Sequence, residues 1–122
     1  MIIDVLKSFK FAMEGVKEGW KKERNFRIHL VFTVLTVLLA AALDFSMVKW
    51  IILLLTIGIM LSLELMNSAV ERTVDLVTTD RHPLAKQAKD LAAGSVFIFS
   101  LIAVIIGFLL FAEPLFEIVL SR

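Results

Sequence analysis

Apolar positions along this chain change rhythm between its first twenty residues and the rest. Ile2, Val5, Leu6, Phe9, Met13, Val16 and Trp20 recur at spacings of three and four, with Lys7, Lys10, Lys17 and Lys21 mostly on the other side. That period predicts an amphipathic helix over residues 2–21, suited to lie on a membrane surface. Over residues 28–43, 47–63 and 91–111 polar positions nearly vanish, and each run predicts a membrane-crossing helix. Asp44 closes the first run, Lys49 and Trp50 anchor the second at an interface, and Pro114 is expected to stop the third. The short Asp44-Phe45-Ser46 connection makes the first two spans antiparallel neighbours, and Ala92, Ala93, Gly94 and Ser95 give the third a small-residue face for close packing. The pattern is that of an all-α membrane protein in one domain, an N-terminal amphipathic surface helix followed by three transmembrane helices.

Composition narrows the classes of function. With 59% hydrophobic residues in 122 and a mean hydropathy of +0.89, the chain is too apolar for a water-soluble domain. Its formal net charge is only +1 and basic residues do not interleave with aromatics, so no nucleic acid is expected as a partner. The absence of cysteine excludes disulfides, thiolate metal sites and thiol nucleophiles. Asp4, Lys7, Lys10 and Glu14 interrupt the first apolar positions, unlike a cleavable signal, so the N-terminus is expected to be retained. Lys17, Lys21, Lys22, Arg24 and Arg27 precede the first span, and Arg72, Arg81, Lys86 and Lys89 lie between the second and third, whereas the first connection offers only Lys49. The positive-inside rule then places the N-terminus and the 72–89 segment in the cytoplasm, in a multi-pass protein of the cell membrane.

A helix running from Met47 to about residue 77 would be about 45 Å long, beyond a bilayer core of about 30 Å, so its second half must project into the cytoplasm. On that half Glu64, Asn67, Glu71 and Asp75 fall within an arc of about 80°, at about 100° per residue. Leu65, Met66, Ala69, Val70, Val74, Leu76 and Val77 keep the other faces largely apolar. By spacing alone the stripe fits two readings. One is a general base with Mg²⁺ ligands, since Mg²⁺ takes one or two carboxylates together with phosphates and waters; the other is a structural polar seam between helices. Lys86, Lys89 and Asp90 share a face just before the third span, where lysines either hold phosphates or merely set topology. Glu23, amid Lys21, Lys22, Arg24 and Arg27, reads as an interfacial charge unless the fold brings it opposite Glu71. His29 reads as an interfacial residue, and His82 sits in the turn Asp80-Arg81-His82-Pro83; neither has metal-pair spacing. No Walker A sequence, GxGxxG or GxSxG occurs, which leaves P-loop enzymes, protein kinases, Rossmann enzymes and α/β-hydrolases without support.

The run ELMNSAVERTVD at 64–75, followed after a short loop by HPLAKQAKDLAAGSV, resembles the signature of the prokaryotic diacylglycerol kinase and undecaprenol kinase family of small membrane lipid kinases. Trp20, and Glu23 followed by Phe26 and Arg27, extend the resemblance over nearly the whole chain. It implies ATP- and Mg²⁺-dependent phosphorylation of a lipid alcohol at the cytoplasmic interface, with Glu64 as the general base. It further implies Glu71 and Glu23 as metal ligands, Lys89 and Asp90 as a phosphate-binding pair, and Asn67 as support for the site's geometry. Asp80, Arg81 and His82 would contact the nucleotide, and Phe11 falls where some relatives place a tyrosine near it. The resemblance also implies a homotrimer with active sites shared between neighbouring subunits, with which a three-span monomer too small to wrap its own polar stripe is compatible.

Asn25-Phe26-Arg27-Ile28-His29 and HPLAKQAKDLAAG look more like the undecaprenol branch, and His29 stands where the diacylglycerol branch has a glutamate. Undecaprenol is therefore the expected acceptor, with diacylglycerol, giving phosphatidic acid, as the alternative. Two other classes are weighed against the kinase. A proton or ion transporter subunit would want its acids near the midplane rather than at one edge. A non-enzymatic assembly factor would need none of this constellation.

Overall fold

A computed structural model of the protein describes residues 1–121. Four helices account for most of them: α1 (Ile2–Lys22), α2 (Arg24–Ala42), α3 (Met47–Val77) and α4 (Pro83–Leu120), with no strand among the described residues. The last three are each long and apolar enough to cross a membrane. α3 is the spine. α4 packs along one side of it and α2 along another, while α2 and α4 scarcely meet.

The hydrophobic core lies at one end of this arrangement, where Ala40, Phe45, Leu53, Leu110 and Phe111 are buried together. Its position follows from the α2–α3 turn. Asp44 has a φ of 55°, the left-handed region that aspartate tolerates better than most L-residues. The Phe45 N–H donates to the Ala40 carbonyl at 3.2 Å and the Asp44 N–H to the Ala41 carbonyl at 3.3 Å, a Schellman closure that satisfies two of the last carbonyls of α2. Ser46 then caps α3, its hydroxyl accepting from the Lys49 N–H at 3.4 Å. Phe45, held between the two caps, has its ring centroid 4.8 Å from that of Phe111 and 6.3 Å from that of Trp50. All three spanning helices are thereby joined through one aromatic cluster.

At the other end α1 and α2 meet in an elbow at Glu23, whose extended backbone (φ −101°, ψ 110°) separates the two helices. The Arg27 guanidinium reaches back to the Trp20 and Lys21 carbonyls at 3.0 and 3.1 Å, capping the end of α1. Gly19 brings α1 against α3. A Cβ there would lie 2.6 Å from Leu65 Cδ2 and 3.2 Å from Cδ1 of the buried Phe26, so a side chain at this position would force the Leu65 side chain to move and crowd Phe26.

The helices cover the predicted apolar runs, except that α2 stops at Ala42, one residue before the expected end at Leu43, and they extend beyond the runs at Arg24, at Val77 and at both ends of α4, where further residues continue the backbone ladder. One expectation is overturned. Pro114 does not stop the last helix, which continues to Leu120. Proline removes one N–H from the ladder, whereas unwinding the apolar Leu115, Phe116, Ile118 and Val119 at a membrane edge would free several backbone groups with few partners.

Replacing Asp44 with glycine relieves the left-handed backbone and is expected to stabilise the fold by about 1 kcal/mol, whereas Asp44→Val should destabilise it by at least about that much. Phe45→Ala should cost about 3 kcal/mol or more by emptying the three-helix junction. Reversible unfolding of the purified protein in mixed micelles reads all three.

Candidate functional site

The acidic stripe occupies the half of α3 remote from the Phe45 cluster, where the elbow presses on it. Glu64 is only 3% exposed there. The groups acting on its carboxylate are His29 and Asn25 of α2, Glu23 of the elbow, and Glu71 two turns further along α3. Glu23, which is separated from the stripe in sequence, is thus brought to it by the extended backbone of the elbow.

Asn67 lies between the two α3 glutamates. Its Nδ2 donates to Glu71 Oε1 at 3.4 Å, and its Oδ1 is the one buried side-chain oxygen or nitrogen among the described residues that has no hydrogen-bond partner. A buried amide oxygen without a donor, beside carboxylates, is a donor set that a hard cation satisfies. Among the described residues no three carboxylate or imidazole groups form a complete metal cage. The unpartnered Asn67 oxygen beside Glu71 would fit Mg²⁺, which takes one or two protein oxygens and fills the rest of its shell with water and phosphate oxygens.

A second cluster lies where α3 ends and α4 begins. The hairpin encloses a cleft of about 710 Å³ lined by Asp75, Asp80, Arg81, His82, Lys86, Lys89 and Asp90 together with smaller residues. Lys89 reaches across to Asp75 at 2.6 Å, and Lys86 pairs with Asp90 one turn on. His82 caps α4, its Nδ1 accepting from the Leu84 N–H at 3.1 Å with Pro83 in the first turn. The Asp80 N–H donates to Thr78 Oγ1 at 3.1 Å, which shapes the turn before it. Three cations in this cleft are balanced by three carboxylates, so it can take a polyanion only if the anion displaces Asp75 from Lys89 or Asp90 from Lys86.

The residues singled out in the sequence thus fall into two groups. Glu23, Glu64, Asn67 and Glu71 gather at the elbow; Asp80, Arg81, His82, Lys89 and Asp90 gather at the hairpin. α3 links them, with Glu64 and Asp75 about 16 Å apart along its axis. Phe11 stands on α1, 65% exposed, and lines neither cluster. Sequence reasoning missed Arg72, which holds Glu23 at 2.9 Å and approaches Glu18 at 3.8 Å. It also missed Asn25 beside Glu64. Arg72 looks like any flanking arginine until its partner 49 residues away is known.

A third feature lies deeper, among the apolar parts of the helices. A cavity of about 300 Å³ opens between α2, α3 and α4, bounded by His29 at one end and by Leu53, Leu110 and Phe111 at the other. Thr33, Thr36, Thr56 and Ser100 line it, and each hydroxyl donates to the carbonyl four residues back, at 2.8, 2.9, 2.8 and 2.8 Å. Their protons are already used, so a wall that is polar by composition is apolar in effect. His29 belongs both to this wall and to the surroundings of the Glu64 carboxylate.

Comparison with known proteins gives a consistent answer. A family model described as prokaryotic diacylglycerol kinase matches residues 10–111. An undecaprenol kinase of Bacillus subtilis strain 168 is 46% identical over 109 residues, which cover 89% of each protein. A diacylglycerol kinase of Synechocystis sp. is 40% identical over 116 residues, 94% of this chain and 66% of that protein. A diacylglycerol kinase of Escherichia coli K12 is 30% identical over 101 residues, 83% of each.

Proposed function

This chain belongs to the prokaryotic diacylglycerol kinase family and is a lipid kinase, and we propose that it transfers the γ-phosphoryl group of ATP, with Mg²⁺, to undecaprenol at the cytoplasmic face of the cell membrane. The observation that carries this reading is that the buried Glu64 stands one turn beyond Met60, which lines the apolar cavity, on the same helix. On this reading a carboxylate that would take a proton lies next to a groove whose lining would suit hydrocarbon. Membership of a kinase family displaces the transporter and assembly-factor readings.

In the proposed reaction the acceptor hydroxyl meets Glu64, which takes its proton as the oxygen bonds to the γ-phosphorus. The bond from that phosphorus to the bridging oxygen breaks, and ADP leaves. Lys89, freed from Asp75, holds phosphate oxygens, with Asp90, Arg81, Asp80 and His82 shaping the nucleotide cleft. Glu23, Glu71 and the Asn67 amide oxygen would hold Mg²⁺, which when bound supplies positive charge against the charge spread over the transferring group. Phosphoryl transfer asks chiefly for positioning and charge neutralisation, so a site without a nucleotide-binding fold can suffice.

The basic residues at the elbow and the hairpin support a cytoplasmic placement for both, and hence for the N-terminus. We also infer a homotrimer with shared sites. In one chain the carboxylate cluster and the nucleotide cleft meet only through α3, no complete metal cage forms among the described residues, and the spanning helices expose long apolar faces. A second chain packed on α3 would have room to close the gap between the clusters.

The test of the whole reading is an acceptor panel. With Mg²⁺-ATP and lipids dispersed at matched surface concentration, undecaprenol should show the higher kcat/KM; a higher value for diacylglycerol would overturn the acceptor, and phosphorylation of neither would overturn the reaction. Glu64→Gln should lower kcat by about 100-fold or more with ATP binding retained, because the amide keeps the shape but takes no proton. Co-reconstituted Glu64→Gln and Lys89→Gln chains, each inactive alone, should regain part of the activity, because the intact carboxylate cluster of one chain would then meet the intact nucleotide cleft of another. Mixed oligomers that form and stay inactive would place the site within one chain.

A further inference from the structure

The carboxylates around the elbow raise a question of charge that the proposed chemistry leaves open. Glu23 and Glu71 both lie on the Glu64 side of α3, without closing into one three-acid cluster among the described residues, and Glu18 lies on the adjoining turn of α1. Without a cation, like charges on one side of a helix favour moving the freest of them away. Glu23 is that one, since it sits on the extended joint between two helices rather than inside either. What keeps it in place is Arg72, whose Nη2 donates to Glu23 Oε1 at 2.9 Å.

The same guanidinium has its Nη1 3.8 Å from Glu18 Oε2, close enough for attraction but beyond a hydrogen bond. The planar fork therefore spans two carboxylates, tight on one and slack on the other. Lys22 donates to Glu18 from one turn away, at 3.0 Å, and holds its carboxyl below the ordinary glutamate pKa, with Arg72 adding to the effect. Glu18 thus stays ionised and available.

We propose that Arg72 is the resident counter-cation of the carboxylate cluster: it holds Glu23 against α3 while no divalent cation is bound, and releases it by closing onto Glu18 when the cation arrives. This role rests on the assignment of Glu23 as a metal ligand under the proposed function. A guanidinium and a divalent cation compete for the same carboxylate because each repels the other there. Arg72 is a positioning residue in this scheme, acting on the reaction only through Glu23. Its effect on cation binding has a sign opposite to that of a purely structural pair: removing a scaffold weakens binding, while removing a competitor strengthens it.

The test is Mn²⁺ binding to the full-length protein in lipid nanodiscs without nucleotide, read from the electron paramagnetic resonance signal of free Mn²⁺. Arg72→Gln should bind Mn²⁺ about two- to fivefold more tightly, the competition that one partly exposed ion pair can offer. Glu18→Gln, a change at an exposed position that leaves the fold in place, should bind it more weakly, and that weakening should shrink once Arg72 is also Gln, because nothing then needs a resting place. Unchanged or weaker binding by Arg72→Gln, or an equal Glu18→Gln effect in both backgrounds, overturns the role. Glu23→Gln separates the two levels. If it weakens Mn²⁺ binding while Arg72→Gln fails to strengthen it, the role of Arg72 alone falls; if it leaves binding unchanged, the ligand assignment falls and this role with it.

Discussion

An α-helix has a fixed rise, and the whole arrangement depends on α3 being a single unbroken one. Its 31 residues, about 46 Å long, exceed the apolar thickness of a bilayer by about three turns. The chain therefore cannot adjust the depth of Glu64 independently of Leu53 or Phe45: the apolar residues that fix the helix in lipid fix the carboxylate at the edge. A base on a loop would have to find the interface anew with each fluctuation. On α3 its depth is set by covalent geometry and by packing at the far end.

Charge is arranged by the same helix. Arg72 faces the elbow and Asp75 faces Lys89, so α3 presents a cation to one cluster and an anion to the other within a single turn. Each pair engages a residue that the proposed reaction uses, and under that proposal each would have to open for Glu23 or Lys89 to take part. The energy involved is modest, since these pairs are partly exposed and such pairs contribute about 1 kcal/mol or less. They are strong enough to order side chains before a ligand arrives and weak enough to yield to a triphosphate with its metal.

Much of this was legible in the sequence, for identifiable reasons. The three spans and the surface helix follow from apolar periodicity, which survives any tertiary detail. The stripe of Glu64, Asn67, Glu71 and Asp75 follows from the helical period alone, as does the pairing face of Lys86 and Asp90. The turn at Asp44 was signalled by its polar residues, though not its left-handed geometry. Other features were illegible because they depend on what packs against what. Arg72 and Glu18 gain meaning only when the elbow folds back onto α3, Asn25 only from the face that α2 turns inward, and Gly19 only from the approach of Leu65. Pro114 was misread because the local rule for proline ignores the penalty for leaving backbone groups unpaired beside lipid. The cavity could not be foreseen at all, since the threonines lining it sit on two different helices.

One consequence lies in the floor of that cavity. Leu53, Leu110 and Phe111 bound its inner end and are also members of the buried cluster around Phe45. The floor is thus the junction that ties the helices together, and it cannot be deepened without loosening the fold. The sides are different, because α2 and α4 lean on α3 with little contact between them. Under the proposed reaction, a hydrocarbon longer than this space would be stopped from below and would leave through the gap between those two helices, into the surrounding lipid. The protein would then grip only the first few units next to the alcohol, and tail length beyond them would be a matter for the membrane rather than for the enzyme.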